Sequence, residues 1–130
     1  MAVYTFVYDT GYYPAAPVVD VTLISPETDK TSAPITALVD SGSDGSVMPL
    51  ELLDEINALS MGTAVMSGIW GDRRRVNLYL VTMKIGDHLI RGIHVAGIPD
   101  RSEAVIGRNA MNTIALVLNG PAHVVEILGE

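Results

Sequence analysis

The sequence predicts an all-β, barrel-like domain with one or two short helices. Three observations carry that prediction. Short runs of β-branched and aliphatic residues recur along the chain, clusters of Gly, Pro, Asn and Asp punctuate them, and helical periodicity is confined to two brief stretches. The 130 residues suit one domain around one continuous core. Hydrophobic residues make up 48% of them, which excludes a disordered chain.

Taken in order, Val18–Ile24 reads as a strand, and the polar stretch Ser25–Pro34 connects it to a second strand, Ile35–Val39. Pro49–Leu59 reads as a helix, because Leu50, Leu53, Ile56 and Leu59 recur at three-residue spacing beside Glu51, Asp54 and Glu55. Val76–Ile85 and Leu89–Ala96 form a strand pair around Gly86-Asp87, and Asn109–Ile114 reads as a shorter helix. Leu116-Val117-Leu118, Asn119-Gly120 and Val124–Ile127 read as a closing hairpin, since Asn-Gly favours a tight turn. With no repeats and no internal linker, the reading is one domain over 1–130. Residues 1–17 form an N-terminal extension, 62–76 a hairpin, and 115–128 a C-terminal hairpin.

Composition narrows the function classes. The net charge of −7 leaves no basic surface to neutralise phosphates, so nucleic acid is not an expected partner. No run approaches the roughly 18 apolar residues of a membrane span. Met1–Tyr13 lacks the basic start and long apolar stretch of a signal peptide, so the expectation is a soluble, cytoplasmic domain without a membrane partner. The absence of cysteine removes disulfides, thiolate catalysis and Cys-based zinc sites together. His88, His94 and His123 show no metal-ligand spacing and no triad pattern. Neither a metal nor a cofactor is expected.

The chemistry-bearing segment is Ala37-Leu38-Val39-Asp40-Ser41-Gly42-Ser43-Asp44-Gly45-Ser46-Val47. A carboxylate at the end of an apolar strand is costly to bury unless donors surround it. Ser41 and Ser43 offer hydroxyls, and Gly42 lets backbone N–H groups approach closely. Ser43 in particular is placed to donate to the Asp40 carboxylate. A later segment, Ala104-Val105-Ile106-Gly107-Arg108-Asn109, sets two apolar residues before a glycine and opens a short helix. Between them lies the glycine-bracketed Ser67-Gly68-Ile69-Trp70-Gly71.

Taken together, these three segments resemble the retropepsin family of aspartic proteases, in which Asp-Ser/Thr-Gly pairs with a later apolar-apolar-Gly-Arg-Asn. The resemblance runs from about Val18 to Asn119. It implies a closed, barrel-like acid protease fold and an aspartic endopeptidase that acts on peptide or protein substrates. Asp40 would be the catalytic residue. Ser41, Gly42, Ser43, Asp44, Gly107 and Arg108 would support it, with Asp44 and Arg108 forming an ion pair that braces the loop. Leu38, Val47 and Val105 would line side-chain pockets, and Gly68, Ile69, Trp70 and Gly71 would form a flap over the substrate. One Asp per chain further implies a homodimer, since the chemistry uses two carboxylates. The C-terminal hairpin would be its main contact, and Val3–Val7 would pack on their own subunit. The alternative is a catalytically silent dimerisation or peptide-binding module of the same fold.

Other features read more plainly. Asp9-Thr10-Gly11 repeats the local pattern but precedes the strands that lead into the site, so it reads as a turn. Gly45 stands where retroviral members often carry a second acid. Arg73-Arg74-Arg75 reads as a solvated strand face, Trp70 and the six Met residues as core or cleft lining, and Tyr12-Tyr13-Pro14 as an exposed turn.

Overall fold

A computed structural model describes residues 2–68 and 70–129. Among the described residues, ten strands and two short helices follow one another as β1 Ala2–Val7, β2 Val18–Ile24, β3 Ile35–Val39, β4 Ser46–Pro49, α1 Leu50–Glu55, β5 Leu59–Ser67, β6 Arg73–Ile85, β7 His88–Ile98, β8 Ala104–Ile106, α2 Arg108–Met111, β9 Leu116–Asn119 and β10 Val124–Leu128. The strands β2-β3-β8-β4-β7-β6 are neighbours in that order, and β6 pairs back onto β2, so six strands close a barrel. Closure satisfies edges that an open sheet would leave exposed.

The long β6 makes this possible by dividing one of its edges. Residues from Thr82 to Ile85 pair with β2 and complete the barrel, while Arg73–Leu80 pair with β5 and project a hairpin beyond it. β1, β10 and β9 form a separate three-stranded sheet with β10 in the middle. The N-terminal residues are therefore tied into their own subunit: Phe6 pairs with Val125 and Val7 with Val124. The small sheet rests on the barrel through Val125 and Ile127, which share one core cluster with Val19, Val21, Val81 and Met83.

Several sequence expectations are revised here. The first helix ends at Glu55 rather than Leu59. Asn57 adopts the left-handed conformation (φ 53°), its N–H bonds Asp54 O at 3.1 Å, and Ala58 N–H bonds Leu53 O at 3.0 Å. This pair of bonds with an Asn in the left-handed position is a Schellman stop. Three-residue spacing continues past it, but Leu59 belongs to β5 and is 49% exposed, whereas Leu53 is fully buried. The second helix shortens to Arg108–Met111. The closing hairpin turns over four residues, not two. His123 N–H bonds Gly120 O, and the Asn119 side chain accepts from Ala122 N–H, which accommodates Pro121 in the turn. β1, β4, the first half of β5 and β8 are strands that hydrophobic patterning did not mark, because each is short or exposed.

No helix of the described residues is long and apolar enough to cross a membrane. The contrast between Leu53 and Leu59 is directly testable. Leu53→Ala should cost about 2–5 kcal/mol in denaturant unfolding, while Leu59→Ala should stay within about 0.5 kcal/mol of the parent. Equal losses would contradict this packing.

Candidate active site

The two motif segments, more than 60 positions apart, are brought side by side by parallel pairing of β3 with β8: Ala37 faces Ala104, Leu38 faces Val105 and Val39 faces Ile106. The chain leaves β3 at Asp40, whose N–H still bonds Ile106 O at 3.1 Å. A tight turn follows. Asp40 Oδ1 accepts from Gly42 N–H at 2.9 Å, and Asp40 O accepts from Ser43 N–H at 3.2 Å. The carboxylate is thus oriented by the backbone of its own loop.

The loop is in turn clamped onto the start of α2. Arg108 N–H bonds Ser43 O at 2.8 Å and Asn109 N–H bonds Asp44 O at 3.2 Å. Gly107 lies so close that a Cβ there would overlap the Gly45 carbonyl and stand 2.7 Å from Ser43 O, so the position requires glycine. The expected ion pair is replaced by a different brace: Arg108 Nη1 donates to the Ser41 carbonyl at 2.8 Å, while the Asp44 side chain is exposed. The guanidinium gains a fixed acceptor without immobilising a second side chain. Ser43 also departs from expectation. Its hydroxyl donates to Gly45 O at 2.7 Å, stiffening the loop, and the Asp40 carboxylate is held by backbone instead.

Sequence reasoning missed Ser46 and gave no role to the Asn109 side chain or to the His94 backbone. Ser46 is 1% exposed; its Oγ donates to Asn109 Oδ1 at 2.8 Å and accepts from Gly107 N–H at 3.1 Å. Asn109 Nδ2 donates onward to His94 O at 3.0 Å. One hydroxyl thereby joins the Asp40 loop, the glycine motif and β7. The signal was present in the Asn109 that follows Gly107-Arg108, but the partner of its side chain is set only in space.

A cavity of about 430 Å³ lies between this loop and the β5–β6 hairpin. Gly42–Val47 form its floor with Arg108, and Ala64, Met66, Val76 and Leu78 its roof. These roof residues belong to an apolar cluster separate from the barrel core, built on Val47, Val76, Ala96, Ile98 and Val105 with Leu38 beside them. Val47 lines the cavity, while Leu38 and Val105 pack in the cluster without lining it. Asp40 stands next to Gly42 but is not itself part of the cavity wall. At the hairpin tip, Gly68 N–H bonds Asp72 O at 2.9 Å, Gly71 N–H bonds Gly68 O at 3.1 Å, and Gly71 takes a left-handed φ of 81° that favours glycine. Trp70 is 90% exposed, so it is neither core nor cleft lining in the single chain. Ile69 lies outside the described residues.

Asp9, which the sequence reads as a turn, has nearly the same local geometry as Asp40, with Oδ1 accepting from Gly11 N–H at 2.8 Å. Its surroundings differ: Asp9 pairs with Ala16 in an isolated bridge, and the Gly107 segment is clamped to the Asp40 loop instead. The buried Ser46 network gives a clear stability expectation. Ser46→Ala, which strands Gly107 N–H and an Asn109 oxygen, should cost about 1–3 kcal/mol. Ser43→Ala should cost less, because it removes one part-buried bond; thermal unfolding of both variants with the order reversed would refute the assignment.

Neither family sequence models nor curated proteins match the sequence. Solved structures do match the fold. The EIAV protease complexed with the inhibitor HBY-793 aligns with a TM-score of 0.57 at 22% identity, covering 75% of this chain and 86% of that one. A retropepsin-like aspartic protease from Rickettsia conorii aligns at 0.54 and 10% identity, covering 85% and 90%. The retroviral protease-like domain of Ddi1 from Leishmania major aligns at 0.51 and 15% identity, covering 88% and 96%. With the closed barrel and the two motif segments joined through β3 and β8, the chain has the fold of the retropepsin-like aspartic proteases.

Proposed function

We propose that the protein is an aspartic-type endopeptidase in which Asp40 of one chain works with Asp40 of a second copy. The observation that carries this reading is the Asp40 carboxylate itself. It is oriented by Gly42 N–H at the end of β3, and the backbone of its loop is clamped through Ile106 and Arg108 beside a cavity with a largely apolar roof. The resemblance of the Asp40-Ser41-Gly42 and Val105–Asn109 segments to retropepsin motifs supports it, as does the likeness of the fold to inhibitor-bound EIAV protease.

The chemistry needs two carboxylates that share one proton, because like charges at close range do not both ionise. The ionised member takes a proton from a water molecule as that water attacks the peptide carbonyl carbon. The protonated member gives its proton to the carbonyl oxygen, producing a tetrahedral diol. Collapse of the diol breaks the C–N bond as the nitrogen gains a proton, and no covalent enzyme intermediate forms. Ser41, adjacent to Asp40, would bond across the two-fold axis, and Gly42 would offer backbone contact to the substrate. The β5–β6 hairpin would act as the flap. Trp70 at its tip, exposed in one chain, then has a place to go: over a substrate or against the mate's flap.

A second copy is placed best through β9. This is an edge strand of the small sheet, and Val117 and Leu118 on it are 40% and 46% exposed. Because β1 already covers the other side of β10, the β9 edge is the one the C-terminal hairpin can offer to a mate. Removing everything after Asn119 would be a poor test, since it deletes the central strand of the sheet and the buried Val125 and Ile127.

Two experiments test the reading. Asp40→Asn should abolish cleavage of a peptide library with fold and assembly unchanged, whereas Asp9→Asn should leave cleavage intact; full activity in Asp40→Asn would remove the assignment and leave a peptide-binding module. Val117→Lys with Leu118→Lys should convert a dimer to a folded monomer without activity. Sedimentation showing an active dimer of that double variant would place the interface elsewhere.

A further inference from the structure

The three consecutive arginines Arg73-Arg74-Arg75 contribute three of the eight basic side chains in a chain of net charge −7. In a strand, successive side chains point to opposite faces, so the three cannot act as one patch. The register of β6 decides which goes where. Val76 and Leu78 line the cavity, so the face they share continues to Arg74 two residues before Val76. Cross-strand pairing and burial agree: Ala64 faces Val76 and Met66 faces Arg74, and both Ala64 and Met66 line the cavity half-buried, whereas Val65 and Ser67, opposite Arg75 and Arg73, also line it but are exposed. Arg73, Arg75 and Asn77 fall on the opposite face, where Arg75 Nη1 reaches Thr63 Oγ1; all three, like Arg74, are exposed, so it is the face and not exposure that separates them. The irregularity in this hairpin lies between Ser60 and Thr63, on β5 and away from these pairs, so it does not disturb the alternation.

One cation is therefore carried on the cleft-facing side of the hairpin, one pleat nearer the tip than an otherwise apolar roof. The floor below presents Asp44 and Arg108, but Arg108 is committed to the Ser41 carbonyl. Arg74 is exposed at the rim of the cavity rather than in its wall, and a guanidinium there recognises a carboxylate through charge-assisted, often bidentate, hydrogen bonds. We infer that Arg74 is a specificity-determining residue that selects substrates with an acidic side chain at one position flanking the scissile bond. The inference rests on the endopeptidase reading of the site, and it assigns to Arg73 and Arg75 no part in selection.

The test uses the full chain and matched peptides in which one position at a time carries Glu, Gln or Lys. Cleavage is read as kcat/KM, and binding of the same peptides is read as Kd in the Asp40→Asn chain. At one position the parent should prefer Glu over Gln by roughly two- to five-fold, the range of a partly exposed ion pair, and high salt should shrink that preference. Arg74→Gln should erase it and Arg74→Glu should turn it towards Lys. Arg73→Glu and Arg75→Glu, with the same change in net charge, should keep the preference for Glu. A preference that all three charge reversals alter equally would reduce the effect to bulk charge and overturn the inference. So would the absence of any acidic preference, or of any binding, in both readouts. Failure of the endopeptidase reading looks different: no peptide is cleaved, while the Arg74-dependent preference persists in Kd.

Discussion

Everything at the site depends on the contact between the Gly107 backbone and the loop that carries Asp40. Parallel pairing of β3 with β8 brings the two segments together, and the missing side chain at Gly107 lets them touch. Once they touch, Arg108 and Asn109 backbone N–H groups find Ser43 and Asp44 carbonyls, and the Arg108 guanidinium finds Ser41. Ser46 completes the clamp from inside the barrel. An exposed loop of small residues would otherwise be mobile on its own, since it has few side chains to bury. Here its conformation is fixed by carbonyls that have partners, and the Asp40 carboxylate inherits that order.

The barrel and the cleft are two packing problems solved by one strand. Towards its C-terminal end, β6 presents Val81, Met83 and Ile85 to the main core, all fully buried. Towards its N-terminal end it leaves the barrel, and Val76 and Leu78 join a second apolar cluster under the hairpin. The hairpin's apolar contacts are thereby separate from the barrel core. The bulge between Ser60 and Thr63, with Gly62 at a φ of 126°, lies where the hairpin departs from the barrel and supplies a natural place to bend.

Among the described residues, the small sheet leaves the outer edge of the C-terminal hairpin unpaired. With β1 folded back onto β10, the sheet has two edges, β1 and β9, and β9 is the edge that belongs to the C-terminal hairpin. An edge of that kind, with two exposed aliphatic side chains, is a surface that proteins normally cover.

Much of this was legible in the sequence. The short β-branched runs gave β2, β3, β7 and β10 nearly to the residue, and the spacing of Asp40-Ser41-Gly42 and Ile106-Gly107-Arg108-Asn109 marked both halves of the site. Those features are local: alternation, turn chemistry and glycine demand act over a few residues. What local chemistry left open is equally clear. Asp9 and Asp40 make the same bond to the second residue after them, so only their neighbours in space tell them apart. Helical spacing ran on through Leu59 because it does not register the left-handed Asn57 that stops α1. The brace from Arg108 to a carbonyl, the Ser43 bond to Gly45 and the Ser46–Asn109 network join groups whose separation is set by how β3, β4, β7 and β8 are stacked. The sequence by itself determined which residues could do chemistry and which stretches would be strands. The tertiary structure decided which donor meets which acceptor, because a hydrogen bond is a matter of ångströms and the register of distant strands, not composition, sets them.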